Sequence, residues 1–385
     1  MRYKLGEICE IVSGSTPKTG VPEYWDGNIK WITPAELNED SYIIKDSARK
    51  ITELGVRKTG LSSFPAGTVI LSSRAPIGKV AIAGCEMYCN QGFKNLICSE
   101  KINNRYLFWF LKGRTEYLNS LGRGAAFKEI SKKIVASIEI NVPSIKEQED
   151  AVQILERTSK LIKLRKREVE ELDNLIKARF VEIFGDCRLN PRGWNTVALG
   201  DVAEVGSSKR VFVEELKETG IPFYRGTEVG MLAEGKTVTP ELFITENHYN
   251  ELIKATGKPE LGDLLMPSIC PDGRIWVVDT DKPFYFKDGR VLWVHKIDER
   301  FDPVFLLYTL KDRIMTDYGS IASGTTFAEL KIFALKQCQI FDVPIADQRS
   351  FAAFIAQIDK SKAVIQKSLE EAQLLFDSLM QQYFG

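Results

Sequence analysis

Arg179-Phe180-Val181-Glu182-Ile183-Phe184-Gly185 returns 200 residues later, from position 184 to 384, as Leu379-Met380-Gln381-Gln382-Tyr383-Phe384-Gly385. The same offset pairs Gly124-Ala125-Ala126-Phe127-Lys128-Glu129-Ile130 with Gly324-Thr325-Thr326-Phe327-Ala328-Glu329-Leu330, and Ile145-Lys146-Glu147-Gln148 with Ile345-Ala346-Asp347-Gln348. Nearer the N-terminus the offset drifts to 194, pairing Leu5-Gly6-Glu7-Ile8 with Leu199-Gly200-Asp201-Val202, and to 195, pairing Gly67-Thr68-Val69-Ile70-Leu71 with Gly262-Asp263-Leu264-Leu265-Met266. Such drifts mark loop insertions within a tandem duplication. The period exceeds the roughly 20–50 residues of solenoid repeats, so each copy is a domain with an appended element. Two like units in one chain predict two like binding events.

Upstream of each terminal motif lies a long helix. From Lys146 to about Phe184 no Pro or Gly occurs, and Leu155, Ile162, Val169 and Ile176 recur at a seven-residue spacing, with Thr158, Arg165, Leu172 and Arg179 between them. The second copy carries Ile355, Lys362, Leu369 and Phe376, with Ile358, Ile365, Ala372 and Leu379 between. Sustained heptads of this kind are a coiled-coil stripe. Pro143 and Pro344 supply helix-start signals, and about 39 residues make a rod of roughly 58 Å. A stripe that long needs burial. Antiparallel pairing of the two copies supplies it, with the interface expected at Leu155, Ile162, Val169, Leu172, Ile176, Ile355, Ile358, Ile365, Leu369 and Phe376. The other way to bury the stripe is packing of each helix on its own domain as an ordinary core element.

The remaining regions read as α+β. Short β-like stretches such as Thr68–Leu71 and Val80–Ala83 alternate with Gly/Ser/Pro turns and lead to apolar helices at Asn104–Lys112 and Pro303–Lys311. The organisation expected is therefore a recognition module over 1–145, a long helix over 146–185, a second module over 186–342 and a second long helix over 343–385.

Net charge is zero over 385 residues, but it is unevenly spread. Residues 1–145 carry 20 Lys+Arg against 14 Asp+Glu, and residues 186–342 carry 19 against 24. Contact with a polyanion by the second module therefore requires local patches. No run approaches the roughly 18 apolar residues of a membrane span, and Met1-Arg2-Tyr3-Lys4-Leu5-Gly6-Glu7 does not read as a signal peptide, so a soluble cytoplasmic protein is expected. Seven unpaired-looking cysteines suggest reduced thiols. Cys85 and Cys89 offer two thiols, but only His248 and His295 exist as histidine partners, so neither a metal site nor a cofactor is expected.

Catalytic signatures are missing. Ala75-Pro76-Ile77-Gly78-Lys79-Val80 lacks the first glycine and final hydroxyl of a phosphate-binding loop, and no HExxH or GxSxG occurs. Asn141-Val142-Pro143-Ser144 and Asp342-Val343-Pro344-Ile345 fall short of the tetrad that flips and methylates a base, and read as entries to the rods. Polar turns are plentiful, and Arg, Lys, Ser, Thr and Gln are the residue types that read base edges and hold phosphates. Each taken singly is also an ordinary solvated loop residue.

Taken together, the chain resembles the specificity (S) subunit of type I restriction-modification systems over its whole length. The resemblance rests on Leu5-Gly6-Glu7-Ile8 with Ser13-Gly14-Ser15-Thr16-Pro17, Trp31-Ile32-Thr33-Pro34-Ala35-Glu36-Leu37, Leu71–Ile82, Asn90-Gln91-Gly92-Phe93-Lys94, the Pro143 to Gln148 entry and the terminal Phe-Gly. The second copy departs from it: Pro344 to Gln348 is one residue shorter, and Pro-Ser-Ile-Cys-Pro replaces Ser-Ser-Arg-Ala-Pro. The resemblance implies two target recognition domains that each read half of a split site in double-stranded DNA. It further implies that the paired helices act as a ruler, and that methylation and cleavage belong to separate subunits, two methyltransferase (M) subunits with restriction (R) subunits bound through them. Residues expected at DNA are Ser15, Thr33, Arg74, Lys79, Gln91 and Lys94 in the first module, and Lys209, Arg210, Arg225, Arg274 and Arg290 in the second. Two other readings stay open, a diverged fused restriction or methylation enzyme and a structural adaptor that touches no DNA.

Overall fold

The computed structural model describes residues 1–124, 128–324 and 328–385, so Ala125-Ala126-Phe127 and Thr325-Thr326-Phe327 of the repeated motif lie outside the described residues. The chain divides into two compact units, Met1–Arg167 with Gln366–Gly385, and Glu168–Ile365.

In the first unit a five-stranded sheet runs in the order Cys9–Val12, Asn95–Cys98, Val69–Leu71, Val80–Ala83, Ile43–Ile44, and a three-stranded sheet in the order Arg49–Ile51, Trp25–Ile32, Tyr88–Cys89. The N-terminal strand Arg2–Lys4 closes the module by pairing antiparallel with Glu139–Asn141. The second unit repeats this plan. A four-stranded sheet follows the order Glu204–Gly206, Val291–His295, Leu264–Pro267, Trp276–Val277, a three-stranded sheet follows Phe243–Ile244, Ile221–Tyr224, Tyr285–Phe286, and Thr196–Ala198 closes on Gln339–Phe341. The duplication read from sequence is thus a duplication of topology. All seven cysteines are free, and no helix is long and apolar enough to cross a membrane among the described residues.

The buried helix of each module starts at a side-chain cap. Asn103 accepts from the amides of Arg105 and Tyr106, and Asp302 from those of Val304 and Phe305, satisfying donors that a helix start leaves orphaned. The first helix ends at Lys112 before Gly113, and a separate helix follows over Thr115–Leu121. Its counterpart does not stop at Lys311 as the sequence reading has it. It continues to Ile321 with one non-helical residue at Asp317, because Asp312 and not a glycine follows Lys311.

The two long helices span Ile145–Phe184 and Ile345–Phe384, 40 residues each, or about 60 Å. Each starts in one unit and ends in the other. In the first unit Ala151, Val152 and Leu155 share a core with Phe376, Leu379 and Phe384, and in the second Ile176, Phe180 and Phe184 share one with Phe351, Ile355 and Ile358. Early residues of one helix meet late residues of the other, which is antiparallel pairing. Both ways of burying the stripe are realised together, since Leu155 also shares a core with Leu107 and Ile355 with Phe305, each of its own module, while Trp109 and Tyr106 of the first module lie 5.6 and 4.9 Å from the Phe376 and Phe384 rings of the second long helix. Leu155, Ile162, Ile176, Ile355 and Ile358 are buried, while Val169, Leu172, Ile365, Leu369 and Phe376 are half-buried. Lys362, the polar member of its stripe, bonds Asp173 at 2.7 Å.

Where each long helix leaves its module, a fully buried glutamine holds the junction. Gln148 accepts from the Asn103 amide at 2.8 Å and donates to the carbonyls of Lys101 and Pro143 at 3.1 and 3.0 Å. Gln348 accepts from the Asp302 amide at 2.8 Å and donates to Arg300 and Val343 at 3.0 and 2.9 Å. Val343 therefore takes the place of Pro143. The segment is equally long in both copies, and it is the proline that has moved by one position. Gln148→Ala or Gln348→Ala deletes the three hydrogen bonds of a buried side chain, with an expected cost of about 1–3 kcal/mol. Urea unfolding of each variant measures this, and an unshifted midpoint would remove the glutamine from its role.

Candidate nucleic-acid interface

The strand-connecting turns of the first module converge. The Ser15 amide bonds the Cys89 carbonyl at 3.1 Å, Trp31 Nε1 bonds the Ser15 carbonyl at 3.0 Å, and Thr16 Oγ1 bonds Gln91 Oε1 at 2.6 Å. Gly14 permits this approach, since a Cβ there would lie 1.8 Å from the Cys89 carbonyl oxygen. The Ser73 amide joins the Gly92 carbonyl at 2.7 Å. These bonds, together with those of Lys79 and Lys94, bring all six expected residues of this module into one cluster of loops.

Their roles divide. Ser15, Arg74 and Gln91 are exposed. Thr33 is half-buried and its amide bonds Glu36 at 2.8 Å, capping a short helical turn. Lys79 turns inward to the carbonyls of Pro34 and Leu37. Lys94 is 7% exposed, with its ammonium 3.3 Å from Ser73 Oγ and 3.1 Å from Glu129 Oε1. The other Glu129 oxygen accepts from Arg74 Nε at 2.8 Å. Partial burial opposes the charge on Glu129, but Arg74 and Lys94 outweigh it and hold the carboxyl below its ordinary range.

In the second module the cations are paired with carboxylates. Arg210 Nε lies 3.2 Å from Asp288, Arg274 Nε lies 2.8 Å from Asp272, Arg225 grips Glu228 and reaches Glu241 at 3.1 Å, and Arg290 grips Glu329. Lys209 is exposed while its amide bonds the Tyr285 hydroxyl at 2.9 Å. This pairing accounts for a net acidic module that nonetheless presents arginines, each with donors beyond those its carboxylate uses. Two strands join at this place, since the Ser207 hydroxyl donates to the Val291 carbonyl at 2.6 Å and accepts from the Gly289 amide at 2.9 Å. Beside them a cleft of about 280 Å³ is lined by Arg210, Phe212, Lys287, Asp288 and Arg290. Arg225 and Arg274 belong to the same module but do not line this cleft.

Sequence reasoning passed over Lys287, Phe212 (57% exposed) and the repeated glutamates. Glu129 and Glu329 were visible as a repeated position, whereas nothing local marks Lys287 or Phe212. The arrangement offers each module a surface of arginine, amide and hydroxyl groups suited to base edges and phosphates. No group of three or more His, Cys, Asp or Glu suited to a metal occurs among the described residues.

A family model described as the type I restriction modification DNA specificity domain matches residues 1–174 and again 191–374. The specificity subunit of the type I restriction enzyme MjaIX from Methanocaldococcus jannaschii is 30% identical over 98% of this chain and 90% of its own length. That of EcoR124I/EcoR124II from Escherichia coli is 30% identical over 40% of this chain and 39% of its own length. The S subunit of the type I restriction-modification system from M. genitalium shares the fold, with a TM-score of 0.61 at 14% identity over 100% of this chain and 96% of that one.

Because Lys79 is spent on two carbonyls contributed by another loop, Lys79→Met is expected to lower the thermal midpoint by several degrees. Its effect on the salt dependence of DNA binding should be nil, and a reduced salt slope would instead make Lys79 a phosphate contact.

Proposed function

The chain belongs to the type I restriction modification DNA specificity family, and on that premise we propose that it selects a split double-stranded DNA sequence for a modification and restriction complex. Residues 1–145 form the recognition domain for one half-site and residues 186–342 that for the other, while the helices of 146–185 and 343–385 hold their separation. The helices also dock two methyltransferase subunits, through which restriction subunits join. The chain is non-catalytic and needs no cofactor; base flipping and methyl transfer belong to the methyltransferase. Its place of action is the cytoplasm, where the DNA is.

The observation that carries this reading is the duplication of a loop cluster bearing arginines, once per unit, on helices shared by both units. Both clusters meet one face of B-DNA when the half-site centres lie near one helical turn, roughly 34–36 Å apart. Ser15, Thr33, Arg74 and Gln91 serve the first half-site. Lys209, Arg210, Arg225, Arg274 and Arg290, with Lys287 and Phe212 beside them, serve the second. Lys79 and Lys94 shape the first surface from within.

Methylation-sensitive sequencing of a host carrying this gene and its partner subunits, compared with a deletion of this gene alone, tests the reading. Loss of one split methylated motif is expected, and an unchanged methylome in the presence of folded partners would overturn it. Arg74→Ala is expected to cost about 1–3 kcal/mol of discrimination at one half-site and none at the other.

A further inference from the structure

Glu129 and Glu329 occupy the same position of the duplication, 200 residues apart. Their surroundings are duplicated at the backbone. The amide following Glu129, that of Ile130, bonds the Ser73 carbonyl at 2.9 Å, and that of Leu330 bonds the Ser268 carbonyl at 2.7 Å. Both serines are buried, and their own amides bond Gly92 and Arg290 respectively. Each glutamate is thereby delivered to the same edge of its module.

The cations it meets there are not equivalent. Glu129 takes Arg74 and Lys94, while Glu329 takes Arg290 and Lys331. The hydrogen-bond register sets Gly92 opposite Arg290, and the paired serines put Ile269 in the place of Arg74. The anion is the constant of the two copies, and the cation is what varies. Stability is a weak reason to keep such pairs, for the arginine and glutamate side chains are 45% and 31% exposed in the first copy and 58% and 29% in the second. In the first copy the bond runs through Arg74 Nε, which leaves the two terminal amino groups that make bidentate contacts to guanine or phosphate.

We infer that Glu129 and Glu329 are positioning residues for DNA readout, each holding the reading arginine of its module in place and opposing a phosphate that arrives without the matching base. The inference rests on the function proposed above. Two physical effects act together. Fixing the arginine before binding removes an ordering cost that every base contact otherwise carries, and the carboxylate weakens the sequence-independent phosphate attraction that underlies non-specific binding.

The test takes the full chain assembled with its methyltransferase subunits and selects binders from a duplex library with a randomised stretch, alongside salt titrations on a random-sequence duplex. Wild type should enrich a split motif. Glu129→Gln should blur one half of that motif only, Glu329→Gln the other half only, and each should tighten random-duplex binding by up to about fivefold. Glu129→Asp keeps the charge but shortens the reach, so it should blur the same half with random-duplex binding unchanged. A wild-type split motif that both glutamine variants reproduce unaltered overturns the inference and leaves the proposed function standing. No enriched motif in wild type overturns both. A Glu129→Gln chain that fails to fold makes the glutamate a stability element, and the inference falls.

Discussion

A glutamine side-chain amide has one oxygen and two hydrogens to satisfy, and burial makes every omission costly. Gln148 and Gln348 meet that demand by tying two segments together with three bonds: a carbonyl and the cap amide at the start of the module's buried helix, and the carbonyl just before the long helix. The exit direction of a 40-residue helix is therefore set by a handful of short bonds at its base. A polar residue with fixed geometry does this work better than an apolar one, which would tolerate rotation.

The far ends are anchored by aromatic packing. Phe184 and Phe384 end the two helices and are buried in different cores, Phe184 with Phe305 and Phe351 and Phe384 with Tyr106 and Phe110. Polar residues at the module junctions and rings at the far ends divide the task between direction and depth. The mid-helix stripe then needs only moderate burial, which fits its half-buried Val169, Leu172, Ile365 and Leu369 and the ion pair at Lys362.

Much of the architecture was legible because it depends on period and register. A 200-residue offset and a seven-residue stripe survive divergence, since they are properties of many residues together. The loop cluster was legible only in part. Exposed Arg74 and Gln91 look in sequence like inward-turned Lys79 and Lys94, and the difference lies in partners distant along the chain, the carbonyl oxygens of Pro34 and Leu37 for Lys79 and the Ser73 hydroxyl and Glu129 carboxylate for Lys94. The second buried helix ran past its expected end for a simpler reason, the absence of a glycine where the first copy has Gly113. Phe212 and Lys287 stand two and three residues from Arg210 and Arg290 in the chain but carry no motif of their own, and the cleft they line exists only once those two segments meet.

The exchange of helix ends has a temporal side. The second unit, Glu168–Ile365, is one uninterrupted stretch, whereas the first needs Gln366–Gly385 as well. A ribosome emits the first module first, yet Phe376, Leu379 and Phe384 that finish its core leave the exit tunnel after every residue of the second unit. The usual order, in which the N-terminal domain is finished first during synthesis, is inverted here. A nascent first module waits with an open apolar seam, and translation that stops short of the last helical turns yields a chain whose later half is complete and whose earlier half is not.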